Sequence, residues 1–141
     1  MGALRAVEVL EASSSPQEAA AAEGYATLIW LDRKNINRAQ VHRNRVLNAE
    51  RVSLPMLYYV EARMHLLRKE YKKALREVVK IVALYPRDRE WMAPALYLEA
   101  EIYVNIGSMA QVEQVVQELR WLYPDSEWMR KAMTLLQSTK R

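Results

Sequence analysis

Two short motifs recur at one constant spacing. Tyr59-Val60-Glu61-Ala62 matches Tyr97-Leu98-Glu99-Ala100, and Leu84-Tyr85-Pro86 matches Leu122-Tyr123-Pro124, both 38 residues apart. Val78 with Val116, and Ile81 with Leu119, keep the same spacing. A repeat of this length is one supersecondary unit that cannot bury its apolar face alone, so successive copies must pack on one another.

Each unit reads as two helices. The second helix of one carries Ala74, Leu75, Val78, Val79, Ile81 and Val82; that of the next carries Met109, Val112, Val115, Val116, Leu119 and Leu122. Spacings of three and four put each set on one apolar stripe. The first helices, 55–67 and 89–106, show the same period with tyrosines at the face. Gly107 suits the break between paired helices because it takes left-handed backbone angles at little cost. Pro86 and Pro124 end the second helices, since proline lacks the amide donor and restricts the residue before it. Asp88, and Asp125 or Ser126, can cap the helices that follow.

Upstream, Ser15-Pro16-Gln17-Glu18 has the spacing of a capping box with proline in the first turn. It predicts a helix over 16–31, followed by another over 36–51. A short helix over 3–11 reads as the second half of a truncated preceding unit, and 127–137 as a terminal helix. The predicted division is therefore 1–15 as truncated helix and linker, then units 16–54, 55–92 and 93–126, then a terminal helix 127–138. The fold class is all-α, with about seven helices in antiparallel hairpins.

These residues resemble the tetratricopeptide repeat family. That motif places a small residue and an aromatic in the first helix, a small residue in the second, and a proline near the unit's end. In one unit the positions fall on Ala62, His65, Ala74 and Pro86; in the next on Ala100, Tyr103, Val112 and Pro124, with Gly107 at the turn. His65 and Val112 depart from the pattern, and a looser unit uses Thr27, Trp30 and Ala39 without a closing proline. The resemblance implies a right-handed α-α solenoid whose first helices line a concave groove. The Leu-Tyr-Pro ending followed by Asp125-Ser126-Glu127-Trp128 looks most like bacterial envelope repeat proteins, among them outer-membrane-assembly lipoproteins and division-coordinating periplasmic proteins. That likeness points toward the cell envelope over the cytoplasm, and the chain reads as a fragment of a larger protein.

The groove positions implied by the family are Met56, Tyr59, Arg63 and Leu66 in one unit, Tyr97, Glu101 and Asn105 in the next, and Leu28 and Asp32 in the looser one. Tyr59 and Tyr97, one repeat apart, either form an aromatic ladder for a ligand or pack the interface between units. The family's clamp for a C-terminal carboxylate uses lysine and asparagine where this chain has Tyr59, Arg63, Tyr97 and Glu101, which disfavours that ligand.

Composition excludes several chemistries. The chain has no cysteine, which removes disulfides, thiolate metal sites and cysteine nucleophiles. Glycine and proline total eight of 141 residues, which suits helices joined by short loops. His42 and His65, the only histidines, lack metal-ligand spacing, and His65 falls where the family packs an aromatic. There is no phosphate-cradling glycine loop or nucleophile elbow. Glu61 and Glu99 recur once per unit, as structural elements do. Trp30, Trp91, Trp121 and Trp128 lie at helical positions and read as packing between repeats. No stretch approaches the roughly 18 apolar residues of a membrane span.

Charge is unevenly placed. Residues 33–89 hold 15 basic and 5 acidic side chains, whereas both flanks are net acidic and the whole chain is only +4. The expected function is a non-catalytic adaptor, without metal or cofactor, that binds a protein or peptide through the groove and self-associates through an unpaired end. The alternative is a binder of an acidic polymer, nucleic acid or anionic lipid, through 33–89. Nucleic acid is disfavoured because the basic helices lack interleaved aromatics for base stacking. The basic residues otherwise read as a solvated outer face.

Overall fold

The computed structural model describes residues 15–139. The helix expected over 3–11 lies outside the described residues. Those described form seven α-helices and no strand: α1 Pro16–Asp32, α2 Ile36–Leu47, α3 Leu54–Leu67, α4 Tyr71–Leu84, α5 Met92–Ile106, α6 Met109–Leu122 and α7 Glu127–Thr139.

Local chemistry sets the helix starts. The Ser15 hydroxyl accepts the Glu18 amide at 3.2 Å with Pro16 in the first turn, and Asn35 accepts the Arg38 amide at 3.1 Å. Ser126 accepts the Met129 amide at 3.1 Å. The Asp88 carboxylate accepts the amides of Glu90 and Trp91 at 3.0 and 2.8 Å, so a turn occupies the stretch expected to open the next helix, and α5 begins at Met92. Such caps satisfy amides that have no partner inside the helix. α2 stops at Leu47, short of the expected 51, where the Asn48 side chain bonds back to the Asn44 carbonyl at 3.0 Å.

The helix ends repeat as well. At Gly107 (φ 85°) the amides of Gly107 and Ser108 reach back to Val104 and Tyr103, the left-handed termination that glycine favours. Lys34 (φ 57°) makes the same turn, with Lys34 and Asn35 amides on Leu31 and Trp30, and Lys69 (φ 61°) also takes left-handed angles. Two lysines thus stand where the third pair has glycine. The 38-residue offset holds at the level of elements: α4 and α6 begin and end 38 residues apart, and α3 and α5 begin 38 apart.

Contacts divide the chain into two compact units, one ending at Lys69 and the other beginning at Glu70. In the first, α1 packs on α2 and α3, and α2 meets α3. Leu31, Ala39 and Met64 form its apolar centre with Leu28, Trp30, Ile36 and Leu67 against them. Gly24 of α1 lets Met56 of α3 come close: a Cβ there would lie 2.5 Å from the Met56 sulfur. In the second unit α5 packs on α4, α6 and α7, and α6 meets α7. Three neighbours leave α5 little free surface, and nine of its fifteen residues are buried. Their core gathers Met92, Leu96 and Ala100 of α5, Val112, Val116 and Leu119 of α6, and Met129 and Ala132 of α7. Burying side chains of this size contributes about 1.5–3 kcal/mol each.

Candidate functional site

The groove residues expected in the first unit do meet. Arg63 of α3 donates from Nη2 to Oδ1 of Asp32, the last residue of α1, at 2.6 Å. Burial works against the charge on Arg63, but the neighbouring Tyr59 and the Asp32 carboxylate outweigh it and raise its pKa above the usual guanidinium value. Asp32 keeps 69% of its side chain exposed against 22% for Arg63, so the carboxylate forms the solvent-facing end of the pair. Tyr59 and Met56 are buried, at 3% and 2% exposure, and Leu66 and Leu28 are half-buried. The outer lip of this set is therefore Asp32, Arg63, Leu66 and Leu28.

In the second unit Tyr97 of α5 rests on Trp128 of α7, with ring centroids 5.8 Å apart and planes tilted by 43°. That geometry favours aromatic pairs and ties α5 to α7. Glu101 is half-buried, and exposed Asn105 donates its amide to the Glu101 carbonyl at 2.9 Å. Tyr59 and Tyr97 are thus both engaged in packing, one within the first unit's interior and one across a helix pair.

The basic residues fall into two groups. In the first unit carboxylates and aromatics hold five of them and His42. Arg43 of α2 grips Glu61 of α3 with two bonds, Nε to Oε1 at 2.5 Å and Nη2 to Oε2 at 2.8 Å, and the Glu61 bond raises the Arg43 pKa. His42 Nδ1 lies 2.6 Å and Arg45 Nη1 3.4 Å from the Glu23 carboxylate of α1. The guanidinium groups of Arg33 and Arg38 sit 5.1 and 4.7 Å from the Trp30 ring centre, a cation–π arrangement. These bases join α2 to its neighbours. In α4, by contrast, Lys72, Lys73 and Arg76 are exposed, and only Lys73 has a carboxylate in reach, Glu70 at 3.4 Å.

Two features escaped sequence reasoning. Trp121 is 85% exposed instead of packing between repeats, because its place on α6 corresponds to exposed Ala83 on α4. Trp91 is buried and Trp128 half-buried. Glu99, 38 residues after Glu61, is 8% exposed with no cationic partner among the described residues. Burial, and then the charge of Glu118 on α6, push its pKa up to about 7. His65 is half-buried. The offset itself was the signal that could have flagged Trp121, through the unlike residue, Ala83, that it brings into correspondence.

Among the described residues no group of three or more His, Asp or Glu side chains is disposed to hold a metal ion. No described helix is long and apolar enough to cross a membrane. Comparison of the chain with family models, with curated proteins and with solved structures finds no match.

Proposed function

We propose that this chain is a non-catalytic protein-interaction module of tetratricopeptide-like helix pairs, and that each unit offers the faces of its first helices to a protein or peptide segment. The observation that carries this reading is the combination of repeated boundaries with unlike surface residues. α4 and α6 correspond at their ends and at three buried positions, Ala74 with Val112, Val78 with Val116 and Ile81 with Leu119. Arg63 and Glu101, which correspond at the repeat offset, carry opposite charge. A scaffold that holds its interior constant while varying its exterior is how repeat proteins create binding surfaces.

The test uses the full chain, immobilised, with captured proteins identified by mass spectrometry after cross-linking. Leu66→Glu and Glu101→Lys, each checked for an unchanged helical spectrum, are expected to abolish cross-links to a captured protein, while Arg130→Gln leaves them. Cross-links that survive both substitutions would remove the first-helix faces from consideration.

A further inference from the structure

The outer face of α4 has a control built into the same unit. α6 has the same length and the same ends, and it buries the three positions that α4 buries, together with Val115. Where α4 exposes Lys72, Lys73 and Arg76, the corresponding residues of α6 are Ala110, Gln111 and Gln114, also exposed. The fold therefore does not require basic residues at these places. Nor are they tied down as the bases of α2 are. Lys72 and Arg76 have no carboxylate partner among the described residues, and Lys73 has only the long contact to Glu70. Lys80, half-buried, pairs with Glu77 at 2.9 Å and stands apart from this group.

The same face carries apolar side chains. Residues 72, 76, 79 and 83 follow one another at helical spacing, so Val79 (40% exposed) and Ala83 lie in line with Lys72 and Arg76, and Leu84 (64% exposed) flanks them. Tyr71, the one aromatic on α4, is half-buried, leaving no flat ring on this face for a base to stack on.

We infer that the face of α4 formed by Lys72, Lys73, Arg76, Val79 and Leu84 docks an acidic, amphipathic segment of a partner protein. Carboxylates of that segment meet the three cations, and its apolar side chains cover Val79 and Leu84. Charge complementarity favours an acidic partner, and the interleaved aliphatic residues favour a polypeptide over a nucleic acid. The inference rests on the interaction-module reading but uses a surface separate from the first-helix faces.

The experiment measures binding of the full chain to a fluorescent peptide of about 15 residues, with glutamate on one helical face and leucine on the other, by anisotropy. The informative variant grafts α6 residues onto α4: Lys72→Ala, Lys73→Gln and Arg76→Gln together. Because α6 folds with those residues, the melting curve is expected to stay that of the parent. Affinity is expected to fall roughly tenfold, as three partly screened charge contacts imply, and Val79→Gln to weaken it again. If the graft unfolds, Arg76→Gln alone and the salt dependence of the parent replace it; binding indifferent to both overturns the inference. So does unchanged affinity of the folded graft, equal binding of a peptide with serine in place of leucine, or tighter binding of a single-stranded oligonucleotide of similar length. Leu66→Glu and Glu101→Lys are expected to leave this binding unchanged. Loss of peptide binding in the graft alone, with cross-links through the first-helix faces intact, separates the two surfaces.

Discussion

Glu61 and Glu99 occupy the same place in successive repeats and meet opposite fates. Glu61 is neutralised by the two-bond grip of Arg43. α2 and α4 begin 35 residues apart, so the residue in the place of Arg43 is Val78, which is fully buried, and Glu99 has no cationic partner among the described residues. Burial and the nearby Glu118 then favour the protonated form, with a pKa of about 7 against an ordinary 4.5; Glu99 in turn helps raise the Tyr103 pKa, after burial. The folded state therefore binds this proton more tightly than the unfolded chain does. Stability from Glu99 is full below pH 4.5, falls as pH rises through the interval to 7, and is lost above it. A shift of this size corresponds to about 3 kcal/mol. Glu99→Gln is expected to flatten that dependence and to exceed the parent's stability at alkaline pH, read by urea unfolding on either side of the interval. A parent whose stability does not decline over that interval would show the carboxyl to be solvated.

At the scale of elements, the three left-handed helix ends are an unequal set. Lys34 and Lys69 carry a Cβ in a backbone region where it crowds the following carbonyl, whereas Gly107 does not. Lys34→Gly and Lys69→Gly are each expected to raise stability by about 1 kcal/mol, seen as a higher melting temperature. Gly107→Ala should lower it, although open space surrounds that position, because the strain lies in the backbone. Close helix approach makes the opposite demand. Ala62 and Ala100, both fully buried, sit on α3 and α5 one repeat apart. Leucine at either place is expected to cost about 1–3 kcal/mol through overpacking, measured by chemical unfolding.

For the whole molecule, the division at residue 69 has a consequence for folding. The second unit holds a core drawn from α5, α6 and α7 with Val82 of α4 packed against it, all within 70–141. Expressed alone, 70–141 is expected to be helical and to melt cooperatively. A featureless, gradual melt would place essential contacts elsewhere. The charge asymmetry also takes a definite form at this scale. Part of the excess in 33–89 is neutralised within the first unit, where Arg43, Arg45 and Arg63 are engaged by Glu61, Glu23 and Asp32, whereas on α4 Lys72 and Arg76 stay exposed without a carboxylate partner among the described residues.

Sequence alone determined the helical class, the number of helices and most of their ends. These depend on short-range features: the period of apolar residues, prolines 86 and 124, the caps at Ser15, Asp88 and Ser126, and Gly107 at its turn. It also exposed the correspondence between Tyr59 and Tyr97, but not that Tyr59 would be buried or that Tyr97 would rest on Trp128. Trp121 reads like any other helical tryptophan until the packing of α6 turns it outward. Which arginine meets which carboxylate is likewise a matter of helices 18 to 31 residues apart in sequence coming side by side. Only tertiary structure decided these points, because burial and ion pairing depend on distances between elements, whereas helix formation and capping depend on neighbours within a turn.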